Sequence, residues 1–419
     1  MARTAALGQN LTLDYGRHAN FRGSGAFRIT RANTGGVPQS RISVNRIGGS
    51  MSEFSVTASN GERVNLFWEP VWKGMDPNEV LAHAGEPGYE QFGNDGATGL
   101  LPGIAGSSRC LPRFGGSDIS AGGCHGDINR GRFKLADHDA EGHMVLTTNL
   151  PQTMWGITSS MFFSGDHAAV LVEDESVNQS EQDQKVTYSQ HVTMGGIFLD
   201  DVVMHMPKNT RGKAYDGRFF TPKNGLVGGS EDYQLLPLGA EFMYPDARMA
   251  SGTPIDLSRF PKRRQSDCTT QVIDPSELYG WFAGENRTLG ILFACVWPRA
   301  QFPYLARWVE NLARWGAPWN TGGQNGGPNT RALGYEIANT PFPEEFADQL
   351  ARDPFMGLPT STLVRPGEIL TTRYLMFALP ITPGNSFDAI SVTDKVNVSF
   401  RNEQGNPVEV FLPGMGLIR

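Results

Sequence analysis

Met144-Val-Leu-Thr-Thr148, Trp155-Gly-Ile-Thr-Ser159, Ala168-Ala-Val-Leu-Val-Glu173 and Lys185-Val-Thr-Tyr-Ser-Gln-His-Val-Thr193 are strand-like runs crowded between residues 144 and 193. Each is rich in β-branched or aromatic residues, and turn-forming residues lie between them. Such a rhythm reads as an antiparallel sandwich or barrel, not as strands alternating with helices. The reading extends upstream. Ser40–Ile47 and Met51–Ala58 alternate, Asn60-Gly61 marks a hairpin, and Val64–Trp68 returns. Downstream, Leu278–Phe282, Thr288–Trp297, Gly367–Leu379, Ser391–Ser399 and Val408–Leu412 are further strands. One segment reads differently. Tyr304–Trp315 carries apolar residues at 305, 308, 309, 312 and 315, a spacing that predicts a short helix.

The expected fold class is all-β: one large antiparallel β-sandwich with long loops and few short helices. Residues 1–40 are polar and rich in Gly, Asn and Arg, and are expected as an N-terminal extension to a domain over 41–419. Residues 70–123 and 206–275 read as loop-dominated, the second as an insertion capping one end. The 50 glycines, 27 prolines and 10% aromatic residues agree with many strands and turns.

A net charge of −7, with no basic block beyond Pro261-Lys-Arg-Arg264, argues against nucleic acid as a partner. No run of eighteen apolar residues suggests a membrane span, and the N-terminus has no apolar signal core, so the expected setting is cytoplasmic. The four cysteines, at 110, 124, 268 and 295, form no Cys-x-x-Cys pair, and a Cys110–Cys124 bridge stays undetermined. His138 and His143 lack the i, i+4 spacing of a helical zinc motif.

Thr330-Arg-Ala-Leu-Gly-Tyr-Glu-Ile-Ala-Asn-Thr-Pro-Phe-Pro-Glu344 sets Glu336 inside an apolar run that Pro341 and Pro343 end. On the inner face of a sheet such a carboxylate loses water, its pKa rises, and it can act as a general base. At an edge it would face solvent. His125 follows glycines in Gly122-Gly-Cys-His-Gly126, and His191 sits within a strand just before Gly195-Gly196. Either imidazole can move a proton near neutral pH. Arg109 and Arg113 offer fixed donors for hydroxyls or anions.

These pieces fall into a recognisable order. His-Gly at 125–126, Gln-His-Val-Thr-Met-Gly at 190–195, Gly-Thr-Pro-Ile-Asp at 252–256, Phe-Pro-Tyr-Leu-x-x-Trp at 302–308, Gly-Tyr-Glu at 334–336 and Pro-Gly-Glu at 366–368 follow one another. In these motifs the sequence resembles the aldose 1-epimerase, or galactose mutarotase-like, family across residues 45–412. The resemblance implies a β-sandwich with a sugar groove on its concave face and no metal or organic cofactor. It implies a monosaccharide or modified sugar as substrate, in a monomer or homodimer with no nucleic-acid or membrane partner. Glu336 would be the general base at the anomeric hydroxyl, and His191 the acid at the ring oxygen. His125, Arg109, Arg113, Asp232 and Trp308 would contact the sugar, with Asp274 an alternative to Asp232. Val192-Thr-Met-Gly-Gly196 after His191 and Asp127-Ile-Asn-Arg130 after His-Gly depart from the family pattern. Two alternatives therefore stay open: another reaction on the scaffold, such as a lyase acting on a uronate, which an arginine-lined groove would favour; and a non-catalytic sugar-binding protein, which a Trp308–Trp315 shelf with a solvent-facing Glu336 would favour.

Overall fold

The computed structural model describes residues 3–8, 10–16, 25–33, 39–83, 86–87, 89, 103–116, 119–150, 152–217, 234–315, 318–321 and 323–413. Two antiparallel sheets face one another, of fifteen and eight strands among these residues. At the centre of the larger sheet, neighbouring strands run Met51–Thr57, Ser107–Cys110, Ser189–Gly195, Arg331–Ala338, Tyr304–Asn311 and Gln265–Val272. The smaller sheet has Tyr279–Asn286, Ile291–Pro298, Ile369–Pro380, Ala168–Asn178, Trp155–Phe163 and His143–Leu150 in spatial order. Phe293 of the smaller sheet packs edge-on against Phe54 and Phe67 of the larger one, at ring separations of 5.6 and 5.7 Å.

Ile291-Leu-Phe-Ala-Cys-Val-Trp297 is an unbroken apolar run because both of its faces are covered. Phe293, Cys295 and Trp297 look into the core between the sheets. Leu292, Ala294 and Val296 pack against a third layer, the C-terminal strands Ser386–Val392, Lys395–Arg401 and Pro407–Pro413. Burying a large aliphatic or aromatic side chain contributes roughly 1.5–3 kcal/mol. The sandwich thus gains from both sides of this strand.

Three regions depart from the sequence reading. Tyr304–Asn311 is a strand, not a helix, and all eight residues are buried. A strand covered on both faces carries apolar residues at mixed spacings, which mimics helical periodicity. Gln265–Val272, within the expected insertion, is a central strand buried at every position. Its Gln-Ser-Asp-Cys-Thr-Thr-Gln sequence hides it from any hydrophobic pattern. Ser391–Ser399 is not one strand: Thr393 and Asp394 turn between two strands of the C-terminal sheet, with the Thr393 N–H donating to the Lys395 carbonyl.

In the polar first forty residues, Arg3–Gly8, Leu11–Gly16 and Ala26–Arg31 add in series onto Ser40–Asn45 at one edge of the larger sheet. Leu11, Leu13, Phe27 and Ile29 there join the main core. The Asn60-Gly61 hairpin forms as read, Gly61 taking φ +85° and donating to the Ala58 carbonyl. Among the described residues no helix is long and apolar enough to cross a membrane.

Candidate active site

Alternation along neighbouring strands builds the site. His191 and Glu336 lie directly opposite one another in register, and Ala306 flanks Glu336 on its other side. Side chains alternate in direction along a strand, so His191 and Thr193 share the face of the sheet that carries Glu336 and Gly334. Val192, Met194, Tyr335 and Ile337 point the other way, into the core. The His191 Nε2 lies 3.1 Å from the Glu336 Oε1, and its Nδ1 lies 2.8 Å from the Thr193 hydroxyl. Gly334 makes room for the carboxylate: a Cβ there would fall 2.6 Å from the Glu336 Oε1. A side chain at 334 would therefore make the Glu336 carboxylate shift from this position.

His125 arrives from a loop. It takes φ +63°, rare for a residue with a side chain, and Gly126 follows at φ +84°. A Cβ on Gly126 would sit 2.2 Å from the Leu111 carbonyl oxygen, so only glycine allows the turn to press against Ser107–Cys110 and its continuation. Backbone bonds lock the arrangement, with the Leu111 N–H donating to the His125 carbonyl and the Ile128 N–H to the Leu111 carbonyl. The Gly115 N–H donates to the His125 Nδ1 at 3.2 Å. That fixes Nδ1 as an acceptor and leaves Nε2 carrying the proton of the neutral ring. The His125 and His191 rings meet edge to face at 5.2 Å between centroids.

Burial sets the electrostatics. Glu336 is 1% exposed and its Oε2 has no hydrogen-bond partner among the described residues. Desolvation pushes its pKa well above the usual carboxylate range. Desolvation, reinforced by His125, drives His191 well below the usual imidazole value, and His125 is lowered to about 4 by burial. Both partners of the Glu336–His191 contact are thus pushed toward neutrality, with one proton held between them. The ionic and neutral forms differ only in which atom carries it. An arrangement of this kind can take a proton at the carboxylate and release one at the imidazole within one substrate's reach.

The structure brings Glu336, His191, His125 and Trp308 together. The Trp308 ring is 6.2 Å from the His191 ring, and its Nε1 has no partner among the described residues. Trp308 also belongs to an aromatic cluster with Trp68, Trp72 and Trp319. Arg109 lies elsewhere. It pairs with Gln190, one position out of phase with His191, and so points between the sheets, where it donates to Asp174 at 2.9 Å and Ser159 at 2.7 Å. Arg113 donates to the Pro112 and Lys185 carbonyls and lies over the Phe346 ring. Asp274 accepts from the backbone and hydroxyl of Ser276 in a local turn. Asp232 lies outside the described residues. Trp315 is 43% exposed, beneath Arg264. Cys110 and Cys124 are both free thiols. Thr193 and Gly334 were not singled out in the sequence, although each sits two positions from a proposed proton carrier, the same-face spacing of a strand.

No family model matches the sequence, and no curated protein matches it either. The fold does match solved structures. One is a protein of Klebsiella pneumoniae provisionally described as an aldose 1-epimerase, at TM-score 0.55 and 12% identity over 91% of this chain and 92% of that one. Another, at TM-score 0.50 and 10% identity over 82% and 96% of the two chains, is an Escherichia coli K12 protein with the same provisional description. A third is the Slr1438 protein of Synechocystis, at TM-score 0.50 and 12% identity over 87% and 99%. At such identities the likeness concerns fold alone, and the chain has the galactose mutarotase-like β-sandwich fold.

Proposed function

We propose that the protein is a carbohydrate-active isomerase that interconverts the α and β anomers of an aldose. The observation that carries this reading is the Glu336–His191 contact of 3.1 Å, buried and flanked by His125. Ring opening starts from the ionic form of the pair, reached by passing the shared proton from Glu336 to His191. The Glu336 carboxylate then takes the proton of the anomeric hydroxyl while the His191 imidazolium gives one to the ring oxygen. Both oxygens are bonded to the anomeric carbon, so an acid and a base side by side can serve them. The C1–C2 bond then rotates, and ring closure on the other face returns each proton, with the two groups exchanging roles. Neutral His125 donates its Nε2 proton to a sugar hydroxyl, and Thr193 holds the His191 ring. This scheme uses no nucleophile and consumes nothing. Neither alternative gains support: Arg109 and Arg113 are engaged away from the pair, and Glu336 does not face solvent.

Polarimetry or NMR of freshly dissolved aldoses tests it. Wild-type protein should speed anomer interconversion, and Glu336→Gln should abolish the effect. No acceleration for any aldose, with sugar binding still measurable, would reject the isomerase reading.

A further inference from the structure

A cavity of about 830 Å³ lies on the reverse of the sheet that carries the candidate site. The register fixes this. Arg307 pairs with Tyr335 and Thr269, whereas Ala306 and Trp308, its neighbours in sequence, pair with Glu336 and Gly334 on the other face. Gln265, Asn311 and Arg331 line the cavity with Arg307, and all four lie on that reverse face. One strand therefore sends Trp308 to the candidate site and Arg307 to a separate chamber.

The chamber is built for negative charge. Arg307 is 1% exposed, and neither its Nε nor its Nη1 has an acceptor among the described residues. Asp267, on the same face, gives its oxygens to the Leu235 N–H and the Gln265 amide. Arg259, Lys262 and Arg263 are exposed on the loop that roofs the cavity. Asn311 ties that loop down by donating to the Pro261 and Arg263 carbonyls at 2.9 and 2.7 Å. Three acidic residues also line it: Asp200 pairs with Arg331, Asp256 accepts from the neutral Ser258, and Asp201 sits at the exposed margin, against the cations Arg259, Lys262, Arg263 and Arg307.

We propose that this cavity binds a small phosphate monoester, its phosphoryl group on the Arg307 guanidinium and its organic part under the 259–263 loop. A guanidinium fork with further cations close by matches a group bearing three terminal oxygens and up to two charges. The volume falls within the range of small-molecule sites and exceeds what bare phosphate fills.

Titration calorimetry with glycerol 3-phosphate, inorganic phosphate and citrate tests this; none is an aldose, so none can turn over at Glu336. Wild type and Glu336→Gln should bind glycerol 3-phosphate equally, more tightly than inorganic phosphate and far more tightly than citrate. Arg307→Gln should weaken binding more than tenfold. The rim variant Arg259→Ser/Arg263→Ser, which leaves the buried wall intact, should weaken it severalfold and flatten its salt dependence. No binding by wild type at millimolar ligand would overturn the proposal. So would full binding in the rim variant, loss of binding in Glu336→Gln, or a preference for citrate. The rim variant decides the matter if Arg307→Gln does not fold.

Discussion

Two buried pairs of ionisable groups sit on opposite faces of the larger sheet, and they behave in opposite ways. Arg109 and Asp174 meet at 2.9 Å between the sheets. Burial works against the arginine's charge, yet Asp174 and Tyr374 outweigh it and hold its pKa above the usual value. His191 and Glu336 meet at nearly the same separation on the other face, 3.1 Å, and there burial wins. The carboxylate is pushed up and the imidazole down. In the first pair the arginine keeps its charge and ties two layers together. The second is driven toward neutrality, which leaves a proton that can move. Burial alone does not mark a site; a buried pair whose partners fail to keep each other ionised does.

The comparison breaks most sharply under substitution. Glu336→Gln should cut anomerisation by about 10²–10⁴-fold, the usual contribution of a positioned proton carrier. It should also stabilise the fold at neutral pH. A carboxylate whose folded pKa is raised contributes stability below its unfolded pKa and loses it as pH rises. The advantage of Glu336→Gln over wild type in denaturant midpoint should therefore grow from pH 4.5 upward. An unchanged or lowered midpoint at pH 8 would refute the assignment. Asp174→Ala should do the reverse: it strands a buried guanidinium and should cost about 3–5 kcal/mol of stability. Turnover per folded molecule should stay within about twofold of wild type, because Arg109 faces away from the site.

The same contrast explains what the sequence disclosed. The β-sandwich was legible because alternation and turn residues report half-buried strands directly. Glu336, His191 and His125 were legible because a lone carboxylate in an apolar run and histidines beside glycines are chemically conspicuous. Arg109 misled because one residue of register reverses a strand's facing, and register is a property of pairing that no single strand encodes. The His191–Ser108 pairing decides it. Trp308 lies beside His191, but on a strand where a helix was expected, since strands covered on both faces lose their period of two. Gln265–Val272 was missed for the opposite reason: its polar side chains are buried at every position, as where Gln271 donates to Thr269, so no hydrophobic pattern marks the strand.

Histidine burial gives a pH window. His125 is lowered from 6.5 to about 4. A histidine depressed in the folded state contributes stability above its unfolded pKa, and that stability is lost as pH falls from 6.5 through 4. The shift corresponds to about 3 kcal/mol. Unfolding free energies measured from pH 7 to 4 should fall more steeply for wild type than for His125→Asn. Parallel curves for the two proteins would mean that His125 is already hydrated in the native fold.

The smallest expected effect separates positioning from packing. Thr193 holds the His191 Nδ1 through its hydroxyl at 2.8 Å, while its backbone bonds to Gly106 and Trp68 are independent of the side chain. Thr193→Val keeps the shape and the strand but removes the oxygen. The ring then loses the contact that holds its orientation and aims Nε2 at Glu336. Outer contacts of this kind typically contribute tenfold or somewhat more. We expect kcat to drop by about tenfold with KM unchanged, since the sugar itself is not touched. Thr193→Ser, which restores the oxygen and drops only a methyl group, should recover most of the rate. A serine variant as slow as the valine variant would show that the methyl group's packing matters and the hydroxyl does not. Equal rates in all three would mean that the orientation of the His191 ring is fixed by Glu336 and packing without the hydroxyl.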